Sequence, residues 1–410
     1  MLKTRLDVGH DSLCSQMEKL IVGPLKVTNI STLIIIDALD ECKDEEPEST
    51  ILSILSCYVN EIPSVKFFIT GRPEIRIRSG FRLESLVPIT EVLKLHEVKH
   101  EAVDGDIKLF FRTRLSSVAK NRSDCDLEDW PTSSDIEVLC KKAAGFFIYA
   151  STVVKFVASK NRVPTGQLAQ IISLPRSTTH EGKTGIDLLY TQVLEQAVDD
   201  VDIDDEEFYS HFKTIVGAAL LVFNPLSVRA LSDLLKVSGI STTLRSLHSL
   251  LLVPDGPEES VRAFHKSFPD FLTDPKRCKD SRFYVEPTVH HAEILLSCLS
   301  LMKERLTGRN ICQLDDYAIL SEVGDLSTLQ KVYIGDSLEY ACQFWTKHLL
   351  EIPSNSPCVE DIQREIDEFF TTHLLHWIEV LILIRNLGIG VYAINNVEKW
   401  CSSVSTVKTF

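Results

Sequence analysis

The sequence has no CxxC pair, no apolar run of membrane length and no excess of basic charge. Its 11 cysteines are odd in number and irregularly spaced, which fits reduced thiols in the cytosol better than a disulfide framework. No uninterrupted apolar stretch approaches the ~18–20 residues of a membrane span. Residues 1–11 lack the apolar centre of a signal peptide. A net charge of −15 disfavours non-specific binding to nucleic acid or to an anionic membrane. These absences predict a soluble cytoplasmic protein with no nucleic-acid and no membrane partner. What is present is ordinary globular composition, 44% hydrophobic and 25% charged. At 410 residues the chain has room for roughly two to four domains. No internal repeat of ~20–50 residues is visible.

Residues 33–70 read as strand, helix, strand. Leu33–Ile36 is short and apolar on both faces, as a buried parallel strand is. Pro47 can open a helix at its first turn, and Ile51, Leu52, Ile54, Leu55 and Tyr58 recur at helical spacing. VKFFIT, Val65–Thr70, is the second strand, so the unit has the length of a βαβ crossover. A third strand is expected near Val92–Leu95, and a helix after Asp106. Beyond a polar stretch around Asn121–Pro131 the chain turns helical, with Ser134 or Asp135 as the cap of DIEVLCKKAAGFFIYASTVVKFVAS. Another helix follows near Leu188–Ala197. Residues 206–285 show three short helical patterns, then LLLVP and VRAFH joined by a turn at Pro254–Pro257, an order that suggests a winged helix. The remainder is helical. Ile362, Ile366, Phe369, Phe370, Leu374, Trp377 and Leu381 form one apolar face there, and Gly388 is the expected C-cap.

The stretch LIIIDALDEC carries the chemistry. In open α/β sheets, ligands collect at the carboxyl ends of the strands. Asp37 stands at such an end and can hold Mg²⁺ directly or through water. Asp40 and Glu41 follow, close enough to orient or deprotonate a water. This is the Walker B layout of P-loop NTPases. An aspartate-nucleophile phosphatase needs two aspartates two apart, whereas Asp37 and Asp40 are three apart. The plainer alternative is an acidic turn that caps the next helix. The second strand favours the first reading, because it ends in Thr70-Gly71-Arg72, and an arginine there can face the same phosphate with its forked donors.

LIIIDALDEC followed about thirty residues on by KFFITGRPE resembles the NACHT domain of STAND signalling NTPases, in the variety common in large fungal proteins. The likeness continues in AAGFFIYASTVVKFV, DLLYTQVLEQA, FHKSFPDFLTDPKRC and SLEYACQFWTKHL. It implies a nucleotide-controlled switch with Mg-ATP or ADP as cofactor. It implies that Asp37 organises Mg²⁺, that Asp40 and Glu41 serve hydrolysis, and that Arg72 senses the terminal phosphate. It also implies that His265, in FHKSF, reaches the β-phosphate from a winged helix in the closed form. On its residues alone, His265 reads equally well as a satisfied histidine between a strand and a helix. Protein partners or self-association are expected of such a switch.

The family's phosphate loop, GxxxxGK[ST], has no counterpart before Leu33. Gly182-Lys183-Thr184 is no substitute, since position 177, where the loop's first glycine would fall, is serine and no apolar strand precedes it. The chain is therefore expected to begin after the phosphate loop. Two functions stay open: a regulatory switch that binds nucleotide weakly or not at all by itself, and a slow working ATPase if a phosphate loop lies upstream.

Other signals are read as structural. Asp200, Asp202 and Asp204 hint at a calcium loop, but Asp205 stands where the loop needs glycine and His211 where it needs glutamate. They read instead as part of a solvated acidic linker. His373, His376 and Glu379 lie too far apart along a helix to converge as a zinc site. STTLRSLHSLL carries only Arg245 and His248 as basic groups, too few for a DNA-reading helix. The expected fold is α/β followed by mostly α. A partial P-loop NTPase parallel sheet occupies 1–122, a helical domain 123–204, a winged helix 205–285 and a C-terminal helical region 286–410.

Overall fold

The computed structural model describes residues 12–28, 30–42, 47–93, 100–121, 130–159, 162–175, 185–256, 258–315, 318–320 and 323–407. The chain divides into two compact units, Met1–Glu97 and Val98–Phe410. It is mostly helical, with a small parallel sheet near its start.

The first unit opens with a helical stretch, α1 (Leu13–Gln16), a π-type segment (Met17–Val22) and α2 (Gly23–Thr28). Strand β1 (Thr32–Ile36), α3 (Pro47–Tyr58), β2 (Val65–Ile69) and α4 (Ile75–Gly80) follow. The two strands pair in parallel, Thr32 opposite Val65 and Ile36 opposite Ile69. Their alternation sorts the side chains. Ile36, Phe67 and Ile69 pack on a core of Leu39, Leu52, Leu55 and Ile77. Leu33, Ile35 and Phe68 point the other way and are more than half exposed. Gly80 lies so close against Leu52 that a side chain there would collide with it. The expected third strand does not form at Val92 and Leu93, which are 68% and 76% exposed; Lys94 and Leu95 lie outside the described residues.

The second unit holds α5 (His100–Lys120), α6 (Ser133–Ala143), α7 (Phe147–Val157), α8 (Pro164–Ser173) and α9 (Gly185–Ala197). Helix α5 starts ahead of the expected Asp106 and runs through Gly105, a residue that weakens a helix by only about 1 kcal/mol. Thr132, two or three residues earlier than expected, caps α6. Its hydroxyl accepts from Asp135 N–H at 3.1 Å while Asp135 accepts from Thr132 N–H at 3.0 Å, a reciprocal capping box. The long helix expected from Asp135 onward is broken, because Ala144 (φ 47°) and Gly145 (φ 82°) take left-handed conformations.

Helices α10 (Glu206–Leu221), α11 (Val228–Leu235) and α12 (Ile240–Ser246) lead into a short antiparallel pair, β3 (Leu251–Leu252) and β4 (Arg262–Ala263), and then α13 (Ser267–Leu272). Ser227 bridges Ser260 beside that pair. The C-terminal helices are α14 (Pro287–Arg305), α15 (Leu326–Tyr333), α16 (Gly335–Leu350), α17 (Val359–Thr372), α18 (Leu374–Leu383) and α19 (Leu387–Val407). Helices α17 and α18 divide the expected apolar face between them, and Trp345, Phe369 and Trp377 meet edge to face in the core. Gly388 is not a C-cap, since it lies inside α19. Arg385, at φ 57°, takes the left-handed position after α18 instead. One continuous apolar core runs through this unit from Ile107 to Val404.

Candidate functional site

The candidate site of the first unit is built at the ends of β1 and β2. Parallel pairing brings the two strand ends side by side, and Thr70 N–H donates to Ile36 O at 2.9 Å. After Asp37 the chain turns sharply, with Ala38 left-handed at φ 53°. Leu39 drops into the core at 1% exposure, and a 3-10 turn covers Leu39–Glu41. Thr70 ties this turn down. Its carbonyl accepts from Leu39 N–H at 2.9 Å, its hydroxyl oxygen accepts from Ala38 N–H at 2.8 Å, and its hydroxyl donates to Asp37 Oδ1.

The acids therefore have different surroundings. Asp37 is exposed, and its Oδ2 has no partner among the described residues. Asp40 is 6% exposed. Its Oδ1 accepts from the Arg72 main-chain N–H at 3.0 Å, and its Oδ2 lies 3.6 Å from Arg72 Nε. Arg72 keeps 40% of its side chain exposed. The turn brings Asp37, Asp40, Thr70 and Arg72 together. Glu41 closes the same turn through its backbone. Asp37 offers hard oxygen on an open side, which suits a Mg²⁺ ion that keeps most of its waters. Among the described residues no group of three or more His, Cys, Asp or Glu could cage a metal.

His265 belongs to the second unit, after β4. It is exposed, and its Nδ1 accepts from Ser267 N–H at 3.1 Å with the Ser267 hydroxyl at 2.7 Å. An Nδ1 that accepts places the ring proton of the neutral imidazole on Nε2. Tyr190 on α9 stands 2.7 Å from the same Ser267 hydroxyl, and burial pushes the Tyr190 phenol up to about 12. Nearby, Asp187, 1% exposed, binds Arg277 at 2.6 Å. Lys155 of α7 lies over the Phe264 ring, 2.9 Å from its centroid, and burial lowers its pKa. The sequence singles out His265 but neither Ser267 nor Tyr190. A hydroxyl two residues beyond a histidine is the signal that could have found Ser267, while Tyr190 is distant in sequence.

Four of the other residues that the sequence singles out serve structure. His373 Nδ1 donates to Leu306 O at 2.9 Å, and Glu379 accepts from Ile311 N–H at 2.8 Å, so both hold the loop after α14. Asp205 caps α10 by accepting from Phe208 N–H at 2.9 Å, and Asp202 accepts from Asp204 N–H at 3.2 Å. Gly182, Lys183 and Thr184 lie outside the described residues. No described helix is long and apolar enough to cross a membrane.

Comparison with known proteins bears on this geometry. The family described as Nephrocystin 3, N-terminal, matches residues 2–72, the segment that carries β1, β2 and the strand-end acids. The vegetative incompatibility protein HET-E-1 of Podospora anserina is 26% identical over 393 residues, which is 90% of this chain and 26% of the relative. The chain is a relative of the fungal NACHT-type STAND proteins. It spans about a quarter of the length of the curated relative it matches. No solved structure matches.

Proposed function

We propose that this chain is part of a nucleotide-controlled signalling switch of the NACHT type, acting in the cytoplasm through protein partners or self-association. The observation that carries the reading is the pairing of an exposed carboxylate, Asp37, with the Arg72 turn at adjacent ends of two parallel strands. In this reading Asp37 holds Mg²⁺ on the phosphates of ATP or ADP, and Glu41 orients the attacking water. Arg72 reads the terminal phosphate. Asp40 belongs to the acidic cluster and braces the Arg72 turn. The Mg²⁺ supplies charge neutralisation on the phosphates when bound.

The second part of the proposal concerns the module over 205–285. Three helices followed by a short antiparallel pair is the order of a winged helix. We assign it as an internal lever, with 1–122 as the nucleotide-binding core half, 123–204 as a helical domain and 286–410 as the C-terminal helical region. His265 donates from Nε2–H to the β-phosphate in the closed form, held in that tautomer by Ser267. The sequence carries no GxxxxGK[ST], whose backbone cradle supplies much of the grip on phosphates. The 410 residues alone are thus expected to bind Mg-ATP weakly and to hydrolyse it little or not at all. The alternative, a slow ATPase, requires a phosphate loop joined in frame. Titration calorimetry of the 410-residue chain with Mg-ATP tests this. A micromolar dissociation constant, about −8 kcal/mol, would show that another segment grips the phosphates.

A further inference from the structure

The second unit contains a cavity of about 420 Å³ that the nucleotide reading does not use. It lies where the C-terminal ends of α7, α9 and α12 come together. Gln196, at the end of α9, also lines it, with its side-chain Oε1 buried and without a hydrogen-bond partner among the described residues. Asp200 lines the cavity close by and has no ion pair among the described residues. Arg162 and Asp199 also line it, but they are already paired with each other.

The end of α12 contributes the opposite kind of chemistry. Arg245 lines the cavity and is held only loosely, 3.5 Å from an Asp255 that is fully exposed. His248 lines it too and is exposed. Phe156 and Val193, each buried, supply an apolar part. The cavity thus combines a carboxylate with no ion pair among the described residues, donors without firm acceptors, and an apolar floor. A ligand that carries one charge of each sign and a small apolar body matches all three.

We propose that this cavity binds a small zwitterion with an apolar side chain, of the α-amino acid class. The ammonium is held by Asp200, the carboxylate by Arg245 and His248, and the side chain rests on Phe156 and Val193. Occupation ties the end of α9 to the end of α12. The proposal rests on the second unit alone and is independent of the nucleotide reading.

The experiment is titration calorimetry of the full 410-residue chain with L-leucine as probe. Two truncated analogues run beside it: isopentylamine, which lacks the carboxylate, and 4-methylpentanoate, which lacks the ammonium. Leucine is expected to bind, and each analogue to bind at least about tenfold more weakly, the weight of one charge-assisted contact. Asp200→Asn and Arg245→Met are each expected to weaken leucine by a similar factor. Both side chains are exposed at the surface, and unchanged melting by circular dichroism confirms that each variant is folded. No binding of leucine up to about 20 mM, far weaker than a specific site gives, overturns the proposal. So does an analogue that binds as well as leucine, or leucine binding unchanged in both variants.

Discussion

Asp40 accepts the Arg72 main-chain N–H at 3.0 Å and lies 3.6 Å from Arg72 Nε. One nearly buried carboxylate therefore holds both the backbone and the side chain of the arginine at the neighbouring strand end. Asp37, three residues earlier, is exposed and bonded to Thr70. Two acids of one motif are thus turned to different tasks, one inward to brace the turn and one outward to solvent.

Asp40→Ala should loosen the turn at residues 70–72. The Arg72 N–H would lose its partner in a partly buried site, a penalty of about 1–3 kcal/mol. Hydrogen exchange across Val65–Arg72 should speed up about tenfold or more, while the second unit stays unchanged. Asp40→Asn keeps an acceptor and should do less. Exchange that is the same in Asp40→Ala and in the parent chain would remove Asp40 from the bracing role.

The outward acid makes a separate prediction in any longer protein that joins a phosphate loop to this chain. Asp37→Asn should weaken Mg²⁺-dependent nucleotide binding by roughly tenfold, the weight of one charged contact. Glu41→Gln should spare binding and slow hydrolysis. Thr70→Val should weaken binding less than Asp37→Asn, since it removes the hydroxyl that positions the carboxylate and not the carboxylate itself. Binding and single-turnover assays separate the cases. Equal loss of binding in Asp37→Asn and Glu41→Gln would mean the two roles are wrongly divided.

The strands at the site were legible because they are short, apolar on both faces and end in charged turns. Leu33–Ile36 and Val65–Thr70 agree with β1 and β2 to within a residue or two. The third strand was not legible, because Val92 and Leu93 are apolar yet exposed, and composition alone does not report burial. The break in the helix at Ala144 was hidden because alanine is a strong helix former, and only the left-handed backbone there reveals the stop. Gly388 misled in the opposite way. Glycine often follows a helix, but here Arg385 takes that position. Asp37, Asp40 and Arg72 could be picked from sequence. That Asp40 faces inward could not, since spacing along a turn does not say which carboxylate the core covers.

Glu339 on α16 offers a test by pH. Burial raises its pKa above the ordinary carboxylate value, against the hydrogen bond from Gln343 Nε2 at 3.0 Å. A carboxyl raised in the folded state binds more protons folded than unfolded between the two pKa values. Its contribution to stability is therefore fully present at low pH and is lost as pH rises through the folded pKa. At neutral pH the native state carries a partly buried charge. Glu339→Gln removes that charge and keeps an acceptor for Gln343. The variant should melt higher than the parent near pH 7, and the gap should shrink toward pH 4 as Glu339 protonates. A gap that is constant with pH, or that has the opposite sign near pH 7, would contradict the burial effect.

The last prediction concerns a buried chain of polar groups between the end of α10, α14 and α16. Phe223 N–H donates to the Tyr340 hydroxyl oxygen at 3.1 Å, and Tyr340 stands 2.7 Å from His348 Nε2. His348 Nδ1 lies 2.8 Å from His291 Nδ1. Tyr340, His291 and His348 are exposed by 2%, 6% and 0%. The direction of the chain follows from the donors. Phe223 can only donate, so the Tyr340 hydroxyl hydrogen is best satisfied on His348 Nε2. His348 then carries its proton on Nδ1 and donates to His291 Nδ1. Tyr340→Phe removes one oxygen and orphans two groups, the Phe223 N–H and His348 Nε2. Each buried group left unsatisfied costs about 1–3 kcal/mol. The variant should therefore lose more stability than the deletion of a single hydrogen bond, which is about 1 kcal/mol. The double variant Tyr340→Phe with His348→Leu replaces both partners by apolar groups. It should recover part of that loss, because His348 Nε2 is no longer stranded; what remains is the unpaired Phe223 N–H and the His291 Nδ1 that loses its donor, a loss that His348→Leu alone also carries. Thermal melting of the two variants and of His348→Leu alone completes the cycle. If the double variant loses the sum of the single losses, the groups are not coupled and the directional chain is wrong.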